Sequence, residues 1–443
     1  MTRALLLAAL LLPGLAAAEV RVVAPGDNLA VAVAAAAPGD ELVLGAGIHT
    51  GPVTLDRALT LAGEPGAILD GGGTGSVVMI TAPGAAVRGL TIRGSGSDRV
   101  AMDAGVFLAK PATGALIEGN TFLGNLHGIR LQGARDVTIR GNDITGRTGR
   151  QSEAGNGISV WNAPGALVEG NTIRLGRDGI FSNASKKDVF RANRMERTRF
   201  AIHYMYTNDS VIEDNVSVDN TVGYAIMFSD RLRIAGNVSE GDRDYGLLLN
   251  ATNRSEITGN RVTGRLLPAD RWLTGETGGA ENGVPAGNSA AAPSGDRTGP
   301  EKCVFVYNAN RNTLAGNRFE GCEIGIHFTA GAEGNAISGN AFVSNRTQVK
   351  YVGTRTLDWS VNGRGNYWSD NAAFDLDGDG IADGAYRPND IIDRVMWTAP
   401  QARLLVTSPA VQVIRWAQSR FPATLPGGVV DPAPLMAPPE ATP

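Results

Sequence analysis

The chain has few of the residues on which most enzyme sites are built. It holds 4 His and 2 Cys in 443 residues. A disulfide framework and a multi-thiolate zinc site are therefore both excluded. Charge of one sign is also lacking: 40 Lys and Arg stand against 44 Asp and Glu, a net charge of -4. No basic stripe of the kind that neutralises phosphates can be assembled, which speaks against nucleic acid as a partner. Apolar runs long enough to cross a membrane are missing after the N-terminus. Residues 1–18 combine Arg3, an apolar run from Ala4 to Ala18 and an A-x-A ending, and read as a secretory signal cut before Glu19. A soluble protein exported to the periplasm is expected.

Glycine and asparagine are plentiful, with 58 Gly. An Asn followed two residues later by an apolar side chain recurs at Asn120, Asn142, Asn171, Asn193, Asn215, Asn237, Asn260, Asn317 and Asn340, mostly 22 or 23 residues apart. A second marker, a small residue before an aliphatic one, keeps pace in HGIRL at 127, FAIHY at 200, YAIMF at 224 and IGIHF at 324. Two short alternating runs per repeat, separated by Asn, Gly and Asp turns, predict a right-handed parallel β-helix of about ten coils. The Asn column is structural in this reading, because Asn tolerates left-handed turns and its amide can bond to the next Asn in the stack. Asp27 to Ala37 is predicted to be a capping helix with an Asp N-cap over the first coils, which fill residues 19–93.

The regular coils run through 94–353 and are interrupted twice. Asn142 and Asn171 are 29 residues apart and Asn260 and Asn317 are 57 apart, so the RTGRQSE segment and residues 266–302 are insertions. Cys303 and Cys322 follow the second one. A disulfide is the favoured reading, with buried thiols and metal thiolates as alternatives. Residues 354–398 form a separate module in which Asp375, Asp377, Asp379 and Asp383 take positions one, three, five and nine of an EF-hand-like loop, with Gly380 at the sharp turn. Clustered hard carboxylates suit a structural calcium ion. Position twelve is Tyr386 where a Glu belongs, leaving Asp390 or Asp393 to replace it. Residues 399–443 are expected to hold a short helix from Val411 to Phe421 and a Pro-rich end, from Pro422, that a partner would have to order.

Strand alternation places Ile202, Ile226, Leu247 and Ile326 inward and the residue after each outward. Two outward columns then read Arg130 and Gln132, Ser159 and Trp161, Phe181 and Asn183, His203 and Met205, Met227 and Ser229, Leu248 and Asn250, Phe305 and Tyr307, and His327 and Thr329. His203 and Met227 become neighbours on adjacent coils, with Met205 along the strand. One imidazole and two thioethers suit a soft cation such as Cu(I); the alternative is a Met-filled contact beneath a loop. Met195 falls on an inward position, and His327, His127 and His49 have no convincing partner. The columns contain no Asp, Glu or Lys, and acidic residues such as Asp178 are assigned to turns. The paired carboxylates of glycoside hydrolysis are thus missing from this face, although a polysaccharide-binding or polysaccharide-modifying β-helix, of lyase or epimerase type, stands as the rival reading. Walker, dinucleotide and G-x-S-x-G signatures are not found.

The coils, the segment FAIHYMYTNDS and the module GRGNYWSDN to DLDGDGIADGAYRPNDIID together resemble the NosD family, β-helical periplasmic maturation proteins of nitrous oxide reductase. The likeness runs from about Glu19 to Phe421. It implies a non-enzymatic protein that works with a membrane ABC transporter (permease and ATPase subunits) and a copper chaperone lipoprotein to supply copper to nitrous oxide reductase. ATP hydrolysis would then lie in a separate subunit.

Overall fold

A computed structural model describes residues 18–151, 153–266, 301–329, 331–398, 405, 408–421 and 427–440. Most of the predicted signal segment and of the 266–302 insertion lies outside the described residues. The chain winds as a right-handed parallel β-helix with three faces, the first and second of 13 strands and the third of 12. In one coil Leu116–Glu118 belongs to the first face, Thr121–Leu123 to the second and His127–Gln132 to the third. The stack is longer than the ten coils expected. The additional coils are N-terminal and lack the marker: Leu90 stands where Asn120 stands one coil later, its backbone N–H donating to Asn120 Oδ1.

The corner between the first and second faces is held by an unbroken amide ladder. From Asn120 through Asn142, Asn171, Asn193, Asn215, Asn237, Asn260, Asn317 and Asn340 to Asn366, each Nδ2 donates to the next Oδ1 over 2.8–3.1 Å. Each Oδ1 also accepts the backbone N–H of the preceding Asn, as Asn215 Oδ1 does from Asn193. Every amide of the ladder is satisfied, which an apolar replacement could not achieve. The core inside is a continuous column of Ile, Leu, Val and Phe, and alternation along three- to six-residue strands alone suffices to aim it inward.

Helix α1, Leu29–Ala35, covers the first coil and buries Leu29 and Val33. Its N-cap is Asn28, whose side chain accepts from Val31 N–H, and not Asp27. Asp27 instead accepts from the Ala24 amide, one turn earlier. Cys303 and Cys322 are joined by a disulfide with Cα atoms 5.7 Å apart, wholly inside the core. It closes the coil that follows the 266–302 insertion and leaves no thiolate for a metal.

The far end departs from expectation. The Pro-rich end from Pro422 is expected to need a partner to order it, but its described part packs on the chain itself: Gly428–Val430 pairs in parallel with Thr356–Asp358. Asp431, fully buried, accepts from Asn366 N–H and Trp368 Nε1, both at 2.7 Å. The last Asn of the ladder is thus capped by a carboxylate from the tail, a long-range pairing that composition cannot reveal. Two helices, α2 (Ile391–Thr398) and α3 (Pro409–Arg420), precede this return. Ser408 caps α3 by accepting from Val411 N–H.

Asp188 is sealed in the core without a cation. Asp188 accepts from Ser185 Oγ and Ala166 N–H, and burial, only partly offset by those donors, pushes its carboxyl up to about 7. A folded-state pKa above the ordinary value means that folding is favoured with the proton on. The cost of ionising Asp188 therefore grows as pH rises from about 4 toward 7. Asp188→Asn keeps both acceptor bonds through its Oδ1. Thermal melts are expected to show the variant equal to the parent near pH 4 and more stable by pH 8; an equal loss of stability at both pH values would contradict this.

Candidate metal-handling site

The third face carries the site, and its register differs from the one the sequence suggested. His203 pairs with Phe181 on one side and Ala225 on the other, while Met205 pairs with Met227. His203 and Met227 are therefore diagonal, not rung neighbours, and from sheet spacings their backbones lie about 8 Å apart. The shift arises because Tyr224, not Ile226, occupies the Ile202 position. An aromatic stands where an aliphatic marker was sought, and its hydroxyl donates to the Asn215 and Val238 carbonyls inside the core. Ser229 consequently leaves the outward column and lies in the turn, donating to Met227 O. Ala225, beside His203, contributes only a methyl to this face.

A second correction concerns Asp178. It is not a turn residue but the first residue of the strand Asp178–Asn183, and it is almost completely buried. Its Oδ2 lies 3.1 Å from His203 Nδ1, and both oxygens accept from Arg199, Nε to Oδ1 at 2.8 Å and Nη2 to Oδ2 at 2.7 Å. Burial alone would raise the carboxyl, but the bonds from His203 and Arg199 outweigh it and hold the group at about 2. An ionised Asp178 stabilises the His203 tautomer with its proton on Nδ1. Nε2 is then left as the lone-pair donor, the arrangement in which a carboxylate orients a metal-binding imidazole.

The reason alternation misses Asp178 is local. At the corner before the third face one inward position is reserved for a small residue: Gly105, Gly128, Gly157, Gly179, Ala201 and Gly246. A Cβ on Gly179 would meet Ala201 O at 2.5 Å and Met195 Cγ at 2.5 Å. Two successive residues, Gly179 and Ile180, thus face the core, and the alternation restarts. Asp178 and Phe200 are thrown onto the same side as His203.

His203 is walled by aromatic rings, Phe181 at 5.0 Å and Phe200 at 4.8 Å between centroids. Arg199 lies over the Phe200 ring at 4.3 Å. Met227 belongs to an outward apolar cluster with Phe200, Val222, Ala225, Tyr245, Leu248 and Phe305, against which Met205 packs. Directly after the two methionines come Tyr206 and Phe228, stacked at 5.1 Å with planes 12° apart. Both are exposed and both hold positive φ, 49° and 50°. The same turn position on neighbouring coils is filled by Asn162, Ala184, Ala251 and Asn308. Bulky rings in the left-handed region are unusual and cluster at functional places. The arrangement can hold a soft, weakly hydrated cation beside an apolar landing surface.

Other candidates separate from this group. His327 is buried between Lys302 and Lys350 against Phe305, 4.8 Å between ring centroids; burial, then the two lysines, drives its pKa to about 2. It is unsuited to sharing an ion with His203. The column continues one coil beyond those read from the sequence, to Lys350 beside His327. His127 and His49 are buried, with ring nitrogens engaged by Asn156 N–H and Gly45 O. Met195 is core, as its inward position implied.

In the C-terminal module the carboxylates of Asp375, Asp377 and Asp379 converge within 4.8 Å of one another. Asp383 is turned to Leu376 N–H at 2.8 Å. None of the residues considered for position twelve is available. Tyr386 donates to Asp370 and stacks on Trp368, while Asp390 and Asp393 are tied to Arg415.

The fold is a parallel β-helix that carries a cluster of one imidazole, one carboxylate and two thioethers on a lateral face. Comparison places it further. The sequence model of NosD, described as a periplasmic copper-binding protein, matches residues 141–373, and one of a family of unknown function matches 38–195. A "Probable ABC transporter binding protein NosD" of Stutzerimonas stutzeri is 43% identical over 394 residues, 89% of this chain and 86% of its own. A protein of the same description from Pseudomonas aeruginosa is 41% identical, with 99% and 96% covered. The chain belongs to the NosD family. Among solved structures, the Family 28 exopolygalacturonase of Yersinia enterocolitica matches with a TM-score of 0.51 at 13% identity over 75% of this chain and 76% of that one, a likeness of fold alone. No helix among the described residues is long and apolar enough to cross a membrane.

Proposed function

We propose that this protein is an exported periplasmic accessory factor, its residues 1–18 being the cleaved signal, that passes Cu(I) from a copper chaperone lipoprotein toward nitrous oxide reductase. It works in complex with an ABC transporter whose permease anchors it at the inner membrane and whose ATPase subunit performs the hydrolysis. The observation that carries the reading is Asp178 fixing the His203 ring beside paired Met205 and Met227, because that set is soft, uncharged and partly covered. Such a site favours a monovalent soft ion over magnesium or calcium. It also provides for release, since two thioethers and one imidazole hold copper less firmly than thiolates would. The exposed Tyr206/Phe228 stack is where the chaperone would seat its apolar rim. Asp178 is the carboxylate of this stretch, and bonded to both Arg199 and the His203 ring with almost no exposure it is not placed as a general acid. The sugar-modifying alternative therefore gains nothing from the geometry.

At the C-terminal end the three converging aspartates would hold calcium as a structural ion, completed by water or backbone oxygen in place of a bidentate glutamate. The side chains of Val413 and Trp416 on α3 are more than half exposed, and this helix is assigned to the transporter contact.

Anaerobic Cu(I) titration against a competing chelator tests the site. His203→Ala and the pair Met205→Leu, Met227→Leu are each expected to weaken binding at least tenfold, and Asp178→Asn by about 10- to 100-fold through the loss of ring orientation. Affinity unchanged in His203→Ala would refute the site. In cells lacking the protein, reductase polypeptide without its copper centres is expected. For calcium, adding the ion to chelated protein is expected to raise the melting temperature by mass action, and Asp377→Asn to diminish that rise; no response in the parent would exclude the bound ion.

A further inference from the structure

The corner between the second and third faces takes the 146–157 insertion, the loop from Ser95 to Asp103 and the turn before Asp178 on successive coils. Elsewhere many of the arginines are paired across rungs with acids, as Arg140 is with Glu118, Arg191 with Glu169, Arg231 with Asp209 and Arg254 with Asp230. At this corner the pattern fails. Arg130 is 4% exposed, yet its guanidinium donates only to the neutral Ser159 Oγ at 2.8 Å and Gln132 Oε1 at 2.6 Å. Its Nε has no partner. Arg147 is anchored rigidly through the carbonyls of Ser95, Gly96 and Gly124, at 2.7–2.9 Å, which orient the cation without neutralising it. The Arg177 side chain makes no hydrogen bond or ion pair among the described residues; Arg199 and Arg99 lie close enough to act against its charge, and Asp178, already bonded to Arg199 and His203, acts only partly in its favour.

Convergence is reported by His127. Burial first, then the nearby charges of Arg130, Arg177 and Arg147, drive this imidazole down to about 4. The ring accepts from Asn156 N–H at 3.0 Å and stays neutral among three guanidiniums. Beside it opens a cleft of about 270 Å³ lined by Ser97, Arg99, Leu126, Arg147, Thr148, Arg150, Glu153 and Ala154. Glu153 is the one acid in this lining; it is mostly exposed and reaches Arg150 only at 3.8 Å. Asp98 and Asp103 in the neighbouring loop are turned to backbone amides, Asp98 to those of Val100 and Ala101 and Asp103 to that of Asp98.

Gathering cations in a partly buried corner with so little counter-charge is costly. We propose that this cleft is an anion-binding site, in which guanidinium forks and the Ser97 and Thr148 hydroxyls receive an oxyanion of the carboxylate, sulfate or phosphate type. The recognition is independent of copper. It uses the first insertion, which the copper site does not, and it survives whether or not His203 binds a metal. The same chemistry is offered by a free oxyanion and by the side chains of an acidic protein segment.

Calorimetry on the mature protein, comparing sodium sulfate, a hexaglutamate peptide and sodium chloride at matched ionic strength, separates these sources. Saturable sulfate or peptide binding that chloride does not reproduce is expected, falling at least tenfold in Arg150→Ala/Arg177→Ala, with circular dichroism confirming the fold. Arg254→Ala, which removes a paired surface arginine, should leave the affinity unchanged. Peptide binding much tighter than sulfate assigns the cleft to a protein partner, and comparable binding assigns it to a free anion. No saturable binding above chloride, or a double variant that binds as the parent does, would overturn the site.

Discussion

Everything in this molecule depends on the buried amide ladder that locks one coil to the next. Parallel strands about 4.8 Å apart could slide past one another by two residues and still bury an apolar face. The Asn column removes that freedom, because each side chain must meet the amide above it and the carbonyl below. A slip would leave donors unpaired in the core at about 1–3 kcal/mol each. Register is thereby fixed over the whole stack, and side chains dozens of residues apart in sequence become neighbours by construction. The tail joins the same device when Asp431 receives the Asn366 amide.

Fixed register is what brings the candidate metal donors together from short strands. His203 and Met205 share a strand, Met227 arrives one coil later opposite Met205, and Asp178 one coil earlier. None of these contacts needs a loop to close. The chemistry sits on a rigid lateral face, with the two insertions entering at the adjoining corner. Rigid geometry suits handing over an ion, since the donors need not reorganise when a partner arrives. The strained Tyr206 and Phe228 backbones fit the same logic, holding an apolar surface in place beside the donors.

How far the sequence could be read follows from where periodicity holds. The Asn and small-aliphatic markers made the β-helix, its inward columns and both insertions legible, and pointed to His203, Met205 and Met227 as one neighbourhood. The neighbourhood was found, but its internal register was not, because a tyrosine in the Ile202 column displaced the marker by two residues. Asp178 escaped for a different reason: the small-residue corner resets the alternation, and only spatial packing shows that Gly179 and Ile180 both face inward. The coil count fell short where Leu90 replaced asparagine. The ordered tail was invisible because its partners, Trp368 and Asn366, are more than sixty residues away. The arginine corner was hidden as well, being spread over four coils with no linear spacing.

Family membership and fold leave one claim for experiment to decide, that His203, Met205 and Met227 act together on one copper ion. X-ray absorption spectroscopy of the Cu(I)-loaded protein measures this directly. The account predicts a shell of one imidazole nitrogen and two thioether sulfurs, with the sulfur contribution abolished when both methionines are changed to leucine. A shell of nitrogen and oxygen alone, or a sulfur signal that persists in that variant, would contradict it.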